Sequence, residues 1–261
     1  VKIVVCIKQV PEIALVSVDD SKGELNLPQS PGMVNPFDSY AIEEALRLKE
    51  KHGGTVVVMS LGGKEAEYAL REGLALGADE AVHLTDNAFA QLDSTAIATV
   101  LAAGVKSIGD ADLVLFGKQA VDSDASSVSG AVGGALNVPA AMFVRKIEDV
   151  TDGKLTVERM TDTGFDKVTM PMPAVISVVK EINEPRLPSL KGKMMAKKKE
   201  IKVLSAAELG LDMNLPAFAS MSQLDKSASP PSRPKGEIIQ GESPAEIADS
   251  LFKKLREDQV I

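Results

Sequence analysis

The sequence predicts an α/β fold: a doubly wound, mostly parallel sheet with an antiparallel edge and an extended C-terminal arm. Three observations carry that expectation. Short, nearly unbroken apolar runs recur at 3–7, 55–59 and 113–116. Such runs suit strands covered by helices on both faces. Helical stretches with one apolar face alternate with these runs through short connections, and β-α-β-α alternation implies parallel strands joined by right-handed crossovers. After Pro139 the period changes to two, at 155–159 and 167–170 with Thr163-Gly164 between them, which reads as an antiparallel pair at the sheet's edge.

Taken in order, residues 2–7 form the first strand, with Cys6 inside it as a small core hydrophobe. Residues 11–34 carry the turn signals Asp19-Asp20-Ser21-Lys22-Gly23, Pro28 and Pro31-Gly32, and predict a long loop or hairpin excursion. Asn35-Pro36-Phe37-Asp38 leads into a helix that Asp38 or Ser39 can cap. Ala41, Ala45 and Leu48 share its inner face, and Gly53-Gly54 ends it. Residues 55–59 make the second strand, followed by Ser60-Leu61-Gly62-Gly63 and a helix with Ala66, Leu70 and Leu74 on one face. Residues 81–84 are a third strand, in which His83 reads as a strand residue with a satisfied ring rather than a ligand. A helix over about 94–108 precedes the strand at 113–116, and a further strand covers 174–179.

The C-terminal stretch reads differently. From 211 to 239 periodicity is lost and Pro216, Pro230, Pro231 and Pro234 accumulate, as in an arm laid over a neighbour. Ser243-Pro244-Ala245-Glu246 is a capping box with proline at the first helical position, and Ile247, Leu251 and Leu255 form the stripe of a final helix. The expected division is an α/β domain over 1–205 and an arm with its helix over 206–261.

Composition excludes several function classes. A formal charge of −8 argues against a general nucleic-acid binder, and no tryptophan with 3% aromatics leaves few stacking platforms for single strands. No apolar run approaches the length of a transmembrane helix. The chain enters a strand pattern at Ile3 without a signal-peptide layout. One cysteine excludes an internal disulfide framework and suits a reducing, cytoplasmic compartment. Two histidines in unrelated contexts, His52 and His83, offer no metal centre. No nucleophile elbow, P-loop lysine motif or G-x-G-x-x-G is present, so no catalytic side chain is assigned. That absence suits a protein whose chemistry belongs to a cofactor.

The stretch after the 113–116 strand is the densest in small and polar residues: Gly117-Lys118-Gln119-Ala120-Val121-Asp122-Ser123-Asp124-Ala125-Ser126-Ser127-Val128, running on to Gly134. A strand opening into a helix through small residues suits a phosphate group at the helix N-terminus, with Ser126, Ser127 and Ser129 as further donors. The two aspartates suit ribose hydroxyls, or they simply cap the helix. Spacing alone leaves a nucleotide loop and an ordinary capped helix both open. In a doubly wound sheet, ligands sit beyond the carboxyl ends of the strands. That rule brings residues 6–9, 60–62 and the Gly117 loop to one rim, where Asn35–Asp38 arrives as a helix start.

A second stretch stands out at 186–199. Leu187, Leu190, Met194 and Met195 are interleaved there with Lys191, Lys193 and Lys197–Lys199, after Pro185 and beside Pro188. It is either a solvated basic loop or a docking surface on which methionines adapt to a partner.

Four motifs resemble the electron transfer flavoprotein β subunit: Val5-Cys6-Ile7-Lys8-Gln9-Val10-Pro11, Asn35-Pro36-Phe37-Asp38, Gly117-Lys118-Gln119-Ala120-Val121-Asp122-x-Asp124, and Ile182-Asn183-Glu184-Pro185-Arg186-Leu187-Pro188-Ser189-Leu190 with the downstream Met194–Lys199. They cover most of the chain. The resemblance implies a Rossmann-like nucleotide-binding fold. It implies a heterodimer with an α subunit that holds a redox-active FAD and is embraced by the C-terminal arm. It implies electron shuttling with an acyl-CoA or other dehydrogenase, and contact with a membrane only indirectly, through a quinone reductase. The implied adenine-nucleotide site comprises Cys6 through its backbone, Asn35, Pro36, Phe37, Asp38 and Leu61, with the loop from Gly117 to Val128. The implied recognition loop is 183–200, with Leu187, Leu190, Met194 and Met195 docking the partner and Leu190 as anchor.

The plain electron-carrying branch holds AMP in that site, and the bifurcating branch holds a second FAD. AMP-type loops run D-x-D-x-N-x-T-G-Q. Here Ser126 stands for the asparagine and Val128 for the threonine. A threonine hydroxyl bonds a terminal phosphate and valine cannot, which favours a ligand continuing past the phosphate, a second FAD. The Val5–Pro11 motif and Asp93-Ser94-Thr95 point the same way, whereas Ala125-Ser126-Ser127 departs from that branch. A stand-alone nucleotide sensor or adenylating enzyme is the alternative of another class. An ATP pyrophosphatase needs S-G-G-x-D-S after the first strand, where residues 8–12 read Lys-Gln-Val-Pro-Glu, and a sensor needs neither the 186–199 segment nor the arm.

Overall fold

The computed structural model describes residues 1–222, 225–232 and 235–261; Pro234 of the proline-rich tail therefore lies outside the described residues. Residues Val1–Ser227 form one compact unit and Ala228–Ile261 another.

The first unit begins with β1 (Lys2–Cys6), the short pair β2 (Gln9–Val10) and β5 (Met33–Val34), and between them a hairpin of β3 (Ser17–Asp19) and β4 (Glu24–Asn26). This is the excursion that the turn signals predict. There follow α1 (Pro36–His52), β6 (Thr55–Leu61), α2 (Ala66–Leu76), β7 (Glu80–Leu84), α3 (Ser94–Ile108), β8 (Leu113–Gly117) and α4 (Val128–Leu136). Then come β9 (Ala140–Thr151), β10 (Lys154–Thr161), β11 (Gly164–Pro171), β12 (Ala174–Val178), the short α5 (Leu190–Ala196) and β13 (Lys202–Leu204). Among the described residues nine strands make one sheet in the order β11-β10-β9-β12-β8-β1-β6-β7-β13. Pairing is parallel from β9 through β13, and β10 and β11 add the antiparallel edge.

Alternation along the strands sorts the core into two layers. Val56 and Val58 join Ile42, Leu46 and Leu70 of α1 and α2 on one face. Val57 and Met59 join Val100, Val105 and Val132 of α3 and α4 on the other. Both faces are thereby dry, which is why these strands read as unbroken apolar runs. Each fully buried Val, Leu or Ile contributes about 1.5–3 kcal/mol by leaving water.

Three elements go beyond the sequence expectation. β9 carries a bulge at Phe143, whose φ is 62° and whose amide donates to Ser177 Oγ at 3.0 Å instead of to the ladder. β13 is only three residues long, pairing with β7. Residues 190–196, expected as loop, form α5, because Ser189 Oγ accepts from the Gly192 amide as an N-cap and Ala196 is buried against α2. Downstream, Ala206 and Phe218 are buried in the α3/α4 layer.

In the second unit α6 (Pro244–Glu257) starts as the capping box predicts, with Ser243 Oγ accepting from the Glu246 amide. Its Ile247, Leu251 and Phe252 are exposed. Among the described residues no helix is long and apolar enough to cross a membrane.

Candidate functional site

The chain leaves β1 for β6 and β7 on one side and returns to β8 on the other, so the winding reverses between β1 and β8. Beyond the carboxyl ends of that pair, two connections diverge and leave a crevice, the standard ligand position of an open parallel sheet. A cleft lies there. Its floor is Cys6 at the end of β1 and Ile7 and Lys8 just beyond it, with Phe116 and Gly117 from β8. Leu61, Ile97 and Leu101 form an apolar wall, and Ser94 starts α3 beside them. The Gly117 loop closes the far side through Lys118, Gln119, Ala120, Ser123, Ala125 and Ser126, ending at Val128 and Ser129 of α4.

Asn35 and Asp38 hold this rim together. Asp38, buried in the first turn of α1, accepts from the Lys8 amide at 2.7 Å through Oδ2. Through Oδ1 it accepts from the Gly117 amide at 3.2 Å and from Asn35 Nδ2 at 2.9 Å. One carboxylate thus ties the ends of β1 and β8 to the start of α1. Asn35, also buried, donates from Nδ2 to the Gln119 carbonyl at 2.8 Å and accepts from the Val121 amide at 3.1 Å. It clamps the backbone of the Gly117 loop from both sides of Ala120. The capping role expected of Asp38 is therefore corrected: α1 begins at Pro36, and the carboxylate faces the strands instead of its own helix. Gly117 is required at this junction, since a Cβ there would lie 2.4 Å from Asp38 Oδ1 and 2.5 Å from the Phe37 carbonyl carbon.

Burial pushes the Asp38 carboxyl up to about 7, against the opposing hydrogen bonds from Asn35, Lys8 and Gly117. Burial and the neighbouring Asp38 charge push the Cys6 thiol well above its ordinary range, so it stays a neutral thiol.

The loop's two aspartates do not cap α4. Asp122 pairs with Lys8 across the mouth of the cleft, Nζ to Oδ2 at 2.7 Å. Asp124, with φ of 51°, accepts from Gln119 Nε2 at 2.7 Å. Ser127 is the N-cap residue of α4 but makes no side-chain cap bond, and Ser129 Oγ turns to Met142 Sδ at 2.9 Å. The first turn of α4 therefore meets the cleft without a capping side chain. Its amides and dipole end remain available to an anion. Lys118 Nζ sits 5.9 Å from the centre of the Phe37 ring.

Of the residues singled out from sequence, Cys6, Asn35, Asp38, Leu61, Gly117–Ala120, Ser123, Ala125, Ser126 and Val128 line the cleft. Pro36, Phe37, Val121, Asp122, Asp124 and Ser127 do not line it. Ile97, Leu101 and Phe116 line it too; the sequence places them in a helix and a strand and marks none of them as a site residue.

The second candidate surface is separate. Leu187, Leu190, Met194 and Met195 are exposed by 91%, 77%, 61% and 52%, so the most apolar side chains of α5 and its approach face water.

The electron transfer flavoprotein domain matches residues 27–209. The chain is 38% identical over 262 residues to the Caffeyl-CoA reductase-Etf complex subunit CarD of Acetobacterium woodii, covering 100% of both chains. It is 39% identical over 261 residues to an electron transfer flavoprotein subunit beta of Thermoanaerobacterium thermosaccharolyticum, covering 99% of both. It is 34% identical to the protein FixA of Azotobacter vinelandii over 97% of this chain and 93% of the other. Matches of this length and identity establish that the chain belongs to the electron transfer flavoprotein family, among its β subunits.

Proposed function

We propose that this chain pairs with an α subunit in a heterodimer that carries electrons between dehydrogenases and an acceptor in the cytoplasm. In this reading the switch-point cleft holds an adenine nucleotide, a second FAD rather than AMP. The observation that carries the choice is Val128, which lines the cleft at the start of α4. A terminal phosphate at that point would want a hydroxyl, whereas a dinucleotide runs past an apolar side chain without losing a hydrogen bond. The plain carrier with AMP is the competing outcome.

A flavin, when bound, accepts electrons in pairs or singly. The chain's own residues supply position and environment. The wall of Leu61, Ile97 and Leu101 gives an adenine ring an apolar bed. The uncapped amides of α4 face the phosphates. Asn35 and Asp38 fix the loop that presents them. Residues 183–200 dock the partner dehydrogenase, with Leu190 as the anchor. The name of the CarD relative, which joins an Etf to a CoA-thioester reductase, supports an oxidoreductase of CoA thioesters as that partner.

The test is nucleotide identification. The heterodimer, co-expressed with its α subunit, is treated with acid, and the released nucleotides are separated and counted. Two FAD per heterodimer is expected. One FAD with one AMP would return the chain to the plain carrier.

A further inference from the structure

The segment bearing Leu187 and Leu190 is fastened at both ends by arginines, and we propose that Arg186 and Arg71 are positioning residues that hold it ready for its partner before contact. The proposal rests on the reading of 183–200 as the docking loop.

The upstream fastening is on α1. Arg186 donates from Nε to Glu43 Oε2 at 2.7 Å and from Nη2 to Glu43 Oε1 at 3.1 Å. The same guanidinium reaches Glu50, about two turns further along α1, Nη1 to Oε1 at 2.5 Å and Nη2 to Oε2 at 3.1 Å. Its backbone amide donates to Glu43 as well. A planar fork that engages two carboxylates fixes orientation as well as distance. Glu43 is buried; burial pushes its carboxyl up, but the hydrogen bonds of Arg186 and Arg47 outweigh that and hold it below the usual carboxylate range.

The downstream fastening is on α2. Arg71 Nη1 donates to the Ala196 carbonyl at 2.8 Å and also to the Lys199 carbonyl, while Glu67 holds the rest of the guanidinium. Lys199 in turn donates from Nζ to the carbonyls of Ala78 and Asp79. Between the two fastenings α5 presses on α2 so closely that a Cβ at Gly192 would lie 2.3 Å from the Ala75 carbonyl oxygen.

Asn183, which donates to the Tyr40 carbonyl and to Glu44, and the buried Ala196 also tie the segment to the body, but neither reaches the two leucine side chains. Leu187 and Leu190 themselves face water, so their own packing does little to fix them. A free loop carrying such anchors would lose affinity to the cost of ordering on contact, and fixing it beforehand removes that cost.

The experiment measures steady-state electron transfer between the heterodimer and a purified acyl-CoA dehydrogenase of the same organism, titrating the dehydrogenase. Leu190→Ala should raise its KM about 30-fold. Arg186→Gln and Arg71→Gln should each raise it about tenfold at unchanged kcat, but less than about twofold when Leu190 is already alanine. That loss of effect is what an indirect role through Leu190 requires; a merely structural role gives the same factor in both backgrounds and overturns the proposal. Glu43→Gln/Arg186→Gln gives the same readout without stranding a buried carboxylate, should Arg186→Gln fold poorly. If Leu190→Ala raises KM and neither arginine variant does, the proposal falls and the docking reading stands. If Leu190→Ala leaves KM unchanged, the docking reading falls and takes the proposal with it.

Discussion

Lys8 Nζ lies 2.7 Å from Asp122 Oδ2, tying the end of β1 to the Gly117 loop across the mouth of the cleft. Both side chains are partly solvated, so the pair contributes only about 0–1 kcal/mol to folding. Its expected role is to restrain the loop. Asp122→Asn should leave thermal stability nearly unchanged and speed release of the cleft nucleotide, with the difference shrinking as salt rises. Asp124→Ala should act in the same direction by freeing Gln119. Stopped-flow release into excess competitor checks both; unchanged release rates in both variants would leave the aspartates as surface residues.

Asn35 is the opposite case, a buried amide whose loss strands its partners. Asn35→Ala leaves the Val121 amide and the Gln119 carbonyl without their partner and removes a donor from Asp38. Each stranded buried group costs about 1–3 kcal/mol, so urea unfolding should show a loss of about 2–4 kcal/mol. Asn35→Asp should be worse, because it sets a second carboxylate against Asp38. A loss below about 0.5 kcal/mol would contradict the clamp.

Asp38 gives the site a pH signature. Its carboxyl rises from the ordinary 3.8 to about 7 in the native chain, chiefly through burial. Between those values the native state holds a proton that the unfolded state has released. Stability from this group therefore falls as pH rises from about 4 to about 7 and is level above and below. Urea midpoints measured across that window on the nucleotide-free protein should show the slope, and Asp38→Asn should lack it. A wild-type slope of opposite sign from this residue, read as the difference between the two proteins, would contradict the assignment.

The parallel sheet and the converging rim were legible in the sequence because local patterns determine them. Unbroken runs at β1, β6 and β8 announce strands buried on both faces, and the small residues after Gly117 announce a backbone that something approaches. What escaped depends on contacts distant in sequence. Asp38 looks like a cap because caps are local; the amides that donate to it, those of Lys8 and Gly117, lie 30 and 79 residues away. β9 is hidden by the bulge at Phe143, which breaks the two-residue period. α5 is too short for a helical period and exists through its Ser189 cap and its contact with α2. Ala206 and Phe218 sit in an aperiodic stretch, so nothing local marks them as core.

Leu190 should separate docking from folding. Leu190→Ala removes a side chain that is 77% exposed, so heterodimer assembly, flavin content and thermal stability should stay nearly unchanged. Affinity for the dehydrogenase should fall by about 2 kcal/mol or more. Surface plasmon resonance over immobilised heterodimer measures it directly, and raising salt should slow association for both proteins through the neighbouring lysines. Unfolding or flavin release in the variant would make Leu190 a structural residue.

Photolabelling checks whether the proposed nucleotide occupies the crevice between β1 and β8. Nucleotide-stripped heterodimer is loaded with 8-azido-FAD, irradiated, digested and mapped by mass spectrometry. Label is expected on this chain within the cleft lining, on the peptides carrying Cys6–Lys8, Leu61, Ile97–Leu101 or Lys118–Val128, and it should be lost when excess FAD competes. Competable label on this chain confined to peptides outside that lining, or none on this chain at all, would contradict it.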